Sequence, residues 1–150
     1  MKHTLLLLLL LCSFACFSYT QQSVYDFDIK HWNSADGLSS NSVRAISQDQ
    51  QGYLWIGTLY GLNRFDGHHF RSFKSFPGDL SRLKNDRIDQ IVEDFGTNLW
   101  IKAYDNQIYR FDKVKEQFNL FSLKHDKKVL FNRIKVCSGG EIFLITKDDG

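Results

Sequence analysis

"DQQGYLWIGTLYGLNRFDG", residues 49–67, is rich in aromatics and glycines and contains no catalytic cluster. Either it builds a site or it is one unit of something repeated, and a fixed internal period would change every later inference. Forty-five residues on stands "DFGTNLWIKAYDNQIYRFDK". Asp49 falls on Asp94 and Leu54-Trp55-Ile56 on Leu99-Trp100-Ile101. After one inserted residue, Arg64-Phe65-Asp66 falls on Arg110-Phe111-Asp112, and upstream Val43 and Ile46 fall on Ile88 and Ile91. A weaker third copy follows 43 residues later, with Phe131, Ile134 and "GGEIFLITKDDG", in which Ile142-Phe143-Leu144 replaces Leu-Trp-Ile. The stretch is a repeat unit.

Each copy breaks at Gly, Asn and Asp turn signals into four strand-sized runs. The first gives "SVRAIS", "YLWIGT", "LNRFD" and "FRSFKSF"; the second gives "RIDQIVE", "NLWIKAY", "QIYRFD" and "QFNLFSL". β-branched and aromatic residues dominate, as a packed sheet requires. The segment "LSRLKNDRIDQIVEDF" places Leu80, Leu83, Ile88, Ile91, Val92 and Phe95 near helical spacing. The repeat overrules that reading and predicts a strand at Ile88 and Ile91. Four-stranded units of this length with a recurrent Trp predict an all-β fold, a β-propeller of about two and a half blades. The repeats run over about 43–76, 88–123 and an incomplete 131–150. Trp55 and Trp100 are expected to fill the space between blades, and Asp49 and Asp94 to close the turn before the second strand. Arg64 and Arg110, which repeat together with Phe and with Asp66 and Asp112, are expected as structural cations near each blade's third strand. "VYDFDIKHW", residues 24–32, aligns with the last strand of a blade, and closing a ring needs about four blades or more. The chain is therefore expected to be the front of something larger.

Composition supports a globular β-rich chain: 43% apolar, 15% aromatic and 24% charged residues exclude disorder. The net charge is +2, and the basic cluster Lys124, His125, Lys127, Lys128 is interrupted by Asp126, so nothing points to nucleic acid. "MKHTLLLLLLLCSFACFSYTQQ" has a basic start, an apolar run and a polar end. It is too short for a span of roughly 20 apolar residues. It reads as a signal peptide over residues 1–20, with the mature domain over 21–150. A lipoprotein variant acylated at Cys16 fits less well, because Ser13 and Phe14 depart from that motif. Cys12 and Cys16 would leave with the signal, so Cys137 alone remains, in the place of Asp49 and Asp94, and is expected to be a buried inert thiol.

The run from Trp32 to Gly67 resembles the two-component regulator propeller repeat. Asp36-Gly37-Leu38, Asn41, Val43, Ile46, Asp49, Gly52, Leu54-Trp55-Ile56-Gly57-Thr58, Gly61-Leu62 and Arg64-Phe65-Asp66 all fit its pattern. The second copy departs at Lys102-Ala103, for Gly-Thr, and at Asn106-Gln107, for Gly-Leu. The resemblance implies the N-terminal periplasmic sensor portion of a hybrid two-component protein in a Gram-negative bacterium. The partners it implies are an oligosaccharide ligand, the remaining blades and a downstream histidine kinase region; for the full-length form a homodimer stays open. A free-standing exported propeller, lectin-like or polysaccharide-cleaving, is the alternative. Within these residues no catalytic constellation, cofactor or metal is expected. His68-His69 has no thiol or carboxylate at metal-ligand spacing, and no Lys-Ser/Thr follows Gly57 and Gly61 to make a phosphate loop. Ligand contacts are expected from non-repeating loop aromatics able to stack on a sugar ring: Trp32, Tyr60 and Tyr104.

Overall fold

The computed structural model describes residues 27–79, 81–96, 98–122 and 130–146. The signal segment, Leu80 and the basic cluster Lys124–Lys128 lie outside the described residues. The chain divides into two units, 1–30 and 31–150. In the first, residues 27–30 are exposed and form no regular element, and Lys30 Nζ lies 3.6 Å from Asp28 Oδ2.

Among the described residues the second unit holds ten strands. They are β1 (Val43–Gln48), β2 (Leu54–Thr58), β3 (Gly61–Phe65), β4 (Phe70–Phe73), β5 (Ile88–Glu93), β6 (Asn98–Ala103), β7 (Ile108–Asp112), β8 (Gln117–Phe121), β9 (Phe131–Val136) and β10 (Ile142–Thr146). β1 to β4 form one antiparallel sheet in sequence order, β5 to β8 a second, and β9 with β10 a third. The fold is all-β and propeller-like, and the ambiguous segment is strand at Ile88–Glu93. The strand expected from residues 24–32 does not appear over its described part: residues 27–33 are irregular. A strand here would complete the last blade of a ring, and the described sheets offer it no place: β3 pairs with β4 and β7 with β8.

Register explains why one period serves every copy. Val43 pairs with Thr58 and Ala45 with Gly57; Ile88 pairs with Ala103 and Gln90 with Lys102. The register slips once in each pair, at Arg44 in β1 and at Asp89 in β5, and between Ile145 and Thr146 the slip skips Asn132 in β9. Each first strand thus carries a bulge at the same place.

Alternation sends one set of side chains to each face. Trp55, Leu62 and Phe73 leave the first sheet towards the second, where they meet Ile88, Ile91, Leu99, Ile101, Tyr109, Phe111 and Phe118 in one buried core. Trp55 lies 5.5 Å from Phe111 and 6.0 Å from Phe73, ring centre to ring centre. At about 25 cal/mol per Å² of apolar surface, burial of these side chains supplies most of the force joining the sheets. Gly57 makes the approach possible, since a Cβ there would stand 2.6 Å from Ile88 Cγ2. A second core joins β6 to β9 through Ile108, Phe131 and Ile134, with Trp100, Phe121 and Leu144 packed against it.

The other face of the first sheet is covered by the segment before β1. Leu38 packs with Ile56 and Phe65, and Trp32 stands 5.1 Å from Phe65. Leu83, 45 residues beyond Leu38, is 2% exposed in the main core. The backbone repeats too: Ser39 N–H donates to Asn63 Oδ1 at 3.0 Å, and Lys84 N–H donates to Tyr109 Oη at 3.3 Å. Asn63 and Tyr109 occupy the same register position, opposite Ile56 and Ile101.

Candidate functional site

Three groups of side chains merit a site description, beginning with the turns between first and second strands. Asp49 Oδ1 accepts the backbone N–H of Gln51 at 3.0 Å and of Tyr53 at 2.9 Å, which closes the turn. Its Oδ2 accepts the Trp55 indole N–H at 2.8 Å. Asp94 repeats the pattern with Gly96, Asn98 and the Trp100 indole at 3.3 Å. The Asp-to-Trp spacing of six residues therefore provides a partner for a tryptophan N–H that burial would otherwise leave unpaired. The third copy loses both ends of this bond together, with Cys137 for Asp and Phe143 for Trp. Cys137 still makes the turn, donating its N–H to Glu141 O at 3.0 Å, but its thiol is exposed, not buried as expected. Asp49 is covered by Lys113 of the following sheet, and no described sheet follows Cys137.

Lys113 ties the neighbouring sheet to Asp49. Its Nζ lies 3.2 Å from Asp49 Oδ2, 2.5 Å from Glu93 Oε1 and 3.0 Å from Gln51 Oε1, with the Lys113 side chain 7% exposed. Burial opposes the charge of Asp49, but the Trp55 indole, Lys113 and the Tyr53 amide outweigh it and hold the carboxyl below its ordinary value. Burial likewise works against the Lys113 ammonium, and Glu93 and Asp49 overcome it to raise that group. Asp66 and Asp112 close the next turns, each accepting two backbone N–H groups: His68 and His69 at 2.8 and 2.7 Å, Val114 and Lys115 at 2.9 Å. Arg64 lies over Tyr53 at 5.0 Å and 3.8 Å from Glu116 of the next sheet, while Arg110 is exposed.

The three candidate ligand aromatics do not converge. Trp32 is 42% exposed and stands at the Phe65–Phe70 end of the first sheet. Tyr60 and Tyr104 are 61% and 54% exposed at the opposite end, on the turns after β2 and β6. Tyr104 is covered on one side by the Arg87 guanidinium, 3.7 Å from its ring centre.

That arginine leads to a third group, which the sequence did not single out. The bulged residues Arg44 and Asp89 meet across the first two sheets, Arg44 Nε to Asp89 Oδ1 at 2.9 Å. Arg87 Nε lies 3.7 Å from the same oxygen and Lys102 Nζ 3.8 Å from Oδ2. Three cations share one carboxylate. Among the described residues Arg87 Nε is a buried side-chain nitrogen without a hydrogen-bond partner. Beside them, Asp89, Gln90, Lys102, Asn132, Arg133, Ile134 and Lys135 line an open cleft of about 490 Å³. The available signal was Lys102 in the place of Gly57; a bulge leaves no mark in a single sequence.

Four-stranded sheets repeated in series with matching turns define a chain of the propeller class. Its residues 37–60 match the family model of the two component regulator propeller, so the chain carries a repeat of that family. The histidine kinase P4 of Formosa agariphila is 42% identical over 74 residues, 49% of this chain and 5% of that protein. Among solved structures, the extracellular domain of BT3049 from B. thetaiotaomicron, assigned to a hybrid two component system, matches with a TM-score of 0.64 at 22% identity over 77% of this chain and 17% of that one. That of BT4673, from the same organism and with the same assignment, matches at 0.61 and 22% over 81% and 18%. The chain thus spans less than a fifth of the length of these similar proteins, and the structural likeness establishes the fold.

Proposed function

We propose that this chain is the N-terminal sensor portion of a hybrid two-component signalling protein. It is exported by residues 1–20, and its propeller, beginning in residues 21–150, binds an oligosaccharide and thereby controls a histidine kinase. The observation that carries the reading is the repeat at residues 37–60 together with the 74-residue similarity to a histidine kinase. The fold shared with extracellular domains supports the exported location, and among the described residues no helix is long and apolar enough to cross a membrane. These residues would have no enzymatic activity of their own; the chemistry would reside in the kinase region. In this reading, ligand binding shifts the relative stability of two arrangements of the sensor, and the kinase reads the difference.

The test is direct. The coding sequence beyond Gly150 should encode further blades, a hydrophobic span and a kinase histidine box. The full-length protein in vesicles should change its autophosphorylation rate when a panel of neutral and acidic oligosaccharides is supplied on the sensor side. A full-length protein without a kinase region, or one indifferent to every saccharide in the panel, would overturn the proposal.

A further inference from the structure

We propose that a further four-stranded sheet of the same polypeptide covers the outer face of the first sheet, and that this junction opens more readily than the one joining β1–β4 to β5–β8. Further blades belong to the reading above, on which the proposal rests.

The outer face of the first sheet has a counterpart in the second, and there the first sheet covers it. Ile46 is 64% exposed and Val43 is exposed beside it, whereas Ile91 and Ile88, at the same places in β5, are buried. Leu54 and Phe70 are half-buried, whereas Leu99 and Phe118 lie in the core that the two sheets share. What encloses the second set is the inner face of the first sheet: Trp55, Leu62 and Phe73, with Gly57 leaving room for Ile88. The segment before β1 covers only part of the outer face, where Leu38 packs on Ile56 and Phe65. A set of exposed apolar residues on one face marks a contact surface. This set repeats the places that the next sheet buries, so a sheet of the same repeat fits it. Such a sheet would bring a small residue over Val43, as Gly57 lies over Ile88, and an aromatic onto Phe65, as Trp55 lies against Phe111.

The two junctions differ in what holds them. The turn between β7 and β8 reaches back onto the first sheet, where Lys113 pairs with Asp49, and Glu116 with Arg64 and Arg71. Charge-assisted hydrogen bonds of this kind are stronger than neutral ones. The turn between β3 and β4 is shorter: three residues separate Asp66 from Phe70, where five separate Asp112 from Phe118. Gly67 stands in the place of Lys113, and neither His68 nor His69 supplies the carboxylate of Glu116. The outer face is also less apolar. Thr58, Asn63 and Ser72 stand where the second sheet has Ala103, Tyr109 and Leu120. Ser39 bonds to both Thr58 and Asn63, and Ser72 to Asn63, so these polar groups are satisfied within the first sheet and its cover. Less apolar surface is removed from water and the turn brings no charged clamp, so this junction separates at lower cost. It would supply the two arrangements between which a sensor ligand selects.

The experiment is thiol labelling of the full-length protein in vesicles, sensor side outward, read at each substituted position by peptide mass spectrometry. Val114→Cys, on the exposed β7–β8 turn, sets the rate for an open site. Ile46→Cys should label about tenfold or more slower than Val114→Cys, and Ile91→Cys about tenfold or more slower again. A benzoylphenylalanine crosslinker placed at Ile46 should capture a peptide from beyond residue 150 of the same chain. Should a variant fail to fold, hydroxyl-radical oxidation of the unmodified protein decides, with Phe76 fastest, Phe70 intermediate and Phe118 slowest. Labelling of Ile46→Cys as fast as Val114→Cys overturns the covering sheet, as does capture of a second copy or of residues before Phe27. Protection of Ile46→Cys equal to that of Ile91→Cys overturns the weaker junction. A kinase indifferent to every saccharide overturns the sensor reading and leaves these rates unchanged.

Discussion

Gly57 and Lys102 hold the same register position in their sheets, one opposite Ala45 and the other opposite Gln90. Around Gly57 the junction is closed and apolar: Trp55 is 1% exposed, Ile88 fully buried, and the sheets share one core. Around Lys102 the apolar contacts persist through Phe131 and Ile134 beside a polar cleft, and Trp100 faces a sheet of two described strands where Trp55 faces one of four. The blade repeat therefore fixes where sheets meet, and the residue at this register position sets how closely the next first strand can approach. A residue that breaks a repeat is a better guide to function than one that keeps it.

The largest effect that tests this contrast comes from the two tryptophans. Trp55→Ala should cost about 3–5 kcal/mol, since it empties a dry core position and leaves Asp49 without its indole donor. Trp100→Ala should cost roughly half as much where only β9 and β10 of the third sheet face it, because part of its surface then meets solvent and less cavity is created. Urea denaturation of a protein containing all three sheets measures both. Equal losses would show that the two junctions are equally closed and would break the comparison.

Next in size is the charge clamp at the first junction. Lys113→Met leaves Asp49 and Glu93 close together in a buried place without a cation, a situation that costs about 3–5 kcal/mol when a buried pair is broken. Removing one of the two carboxylates with Asp49→Asn in the same chain should recover part of that loss. A variant with an unchanged melting temperature would mean that water, and not Lys113, satisfies these carboxylates.

Much of this architecture was legible in the sequence, for reasons the structure makes plain. Strand positions followed from the period, and the helical spacing of Leu83, Ile88 and Ile91 was misleading because Leu83 belongs to a capping segment, the counterpart of Leu38, and not to the strand. The Asp–Trp pairs were visible as a spacing, although the indole bond that explains the spacing was not. The alignment of residues 24–32 with a last strand needs a final blade to receive it, and none is among the described residues. Cysteine's usual habit predicts a buried Cys137, but its turn has no following sheet over it as Asp49 has Lys113. The Arg44–Asp89–Lys102 group stayed hidden because bulges and inter-sheet pairing arise only once the sheets are stacked.

A smaller effect sharpens the packing side. Gly57→Ala places a methyl 2.6 Å from Ile88 Cγ2 and 3.0 Å from its Cβ, overpacking worth about 1–3 kcal/mol. Ile88→Ala removes the clashing methyl but leaves its own cavity. The double variant should therefore be more stable than the sum of the two single losses, and denaturation of all four proteins measures that coupling. Simple additivity would show that the sheets separate freely at this point, and the closed junction would lose its explanation. The equivalent substitution Lys102→Ala should produce no such coupling with Phe131.

The smallest effect is in the acid limb of stability, and it separates Asp49 from Asp94. Both carboxyls are held below their ordinary value: at Asp49 burial is overcome by Trp55, Lys113 and Tyr53, and at Asp94 burial is overcome by Asn98, Gly96 and Trp100. A group whose native pKa is depressed contributes stability that is complete above its unfolded value, near 3.9 for an aspartate, and is lost as pH falls through the lower native value. The melting temperature should thus hold steady down to about pH 4 and then decline. Asp49→Asn and Asp94→Asn each remove one titrating group, so each should flatten that decline while lowering the plateau. The flattening should be greater for Asp49, whose carboxylate alone of the two carries the Lys113 contact from the neighbouring sheet. Melting curves from pH 2 to 7 on the three proteins supply the measurement. If Asp94→Asn flattens the limb more, the cross-sheet lysine contributes less than the local turn, and the two junctions would differ in packing but not in their electrostatics.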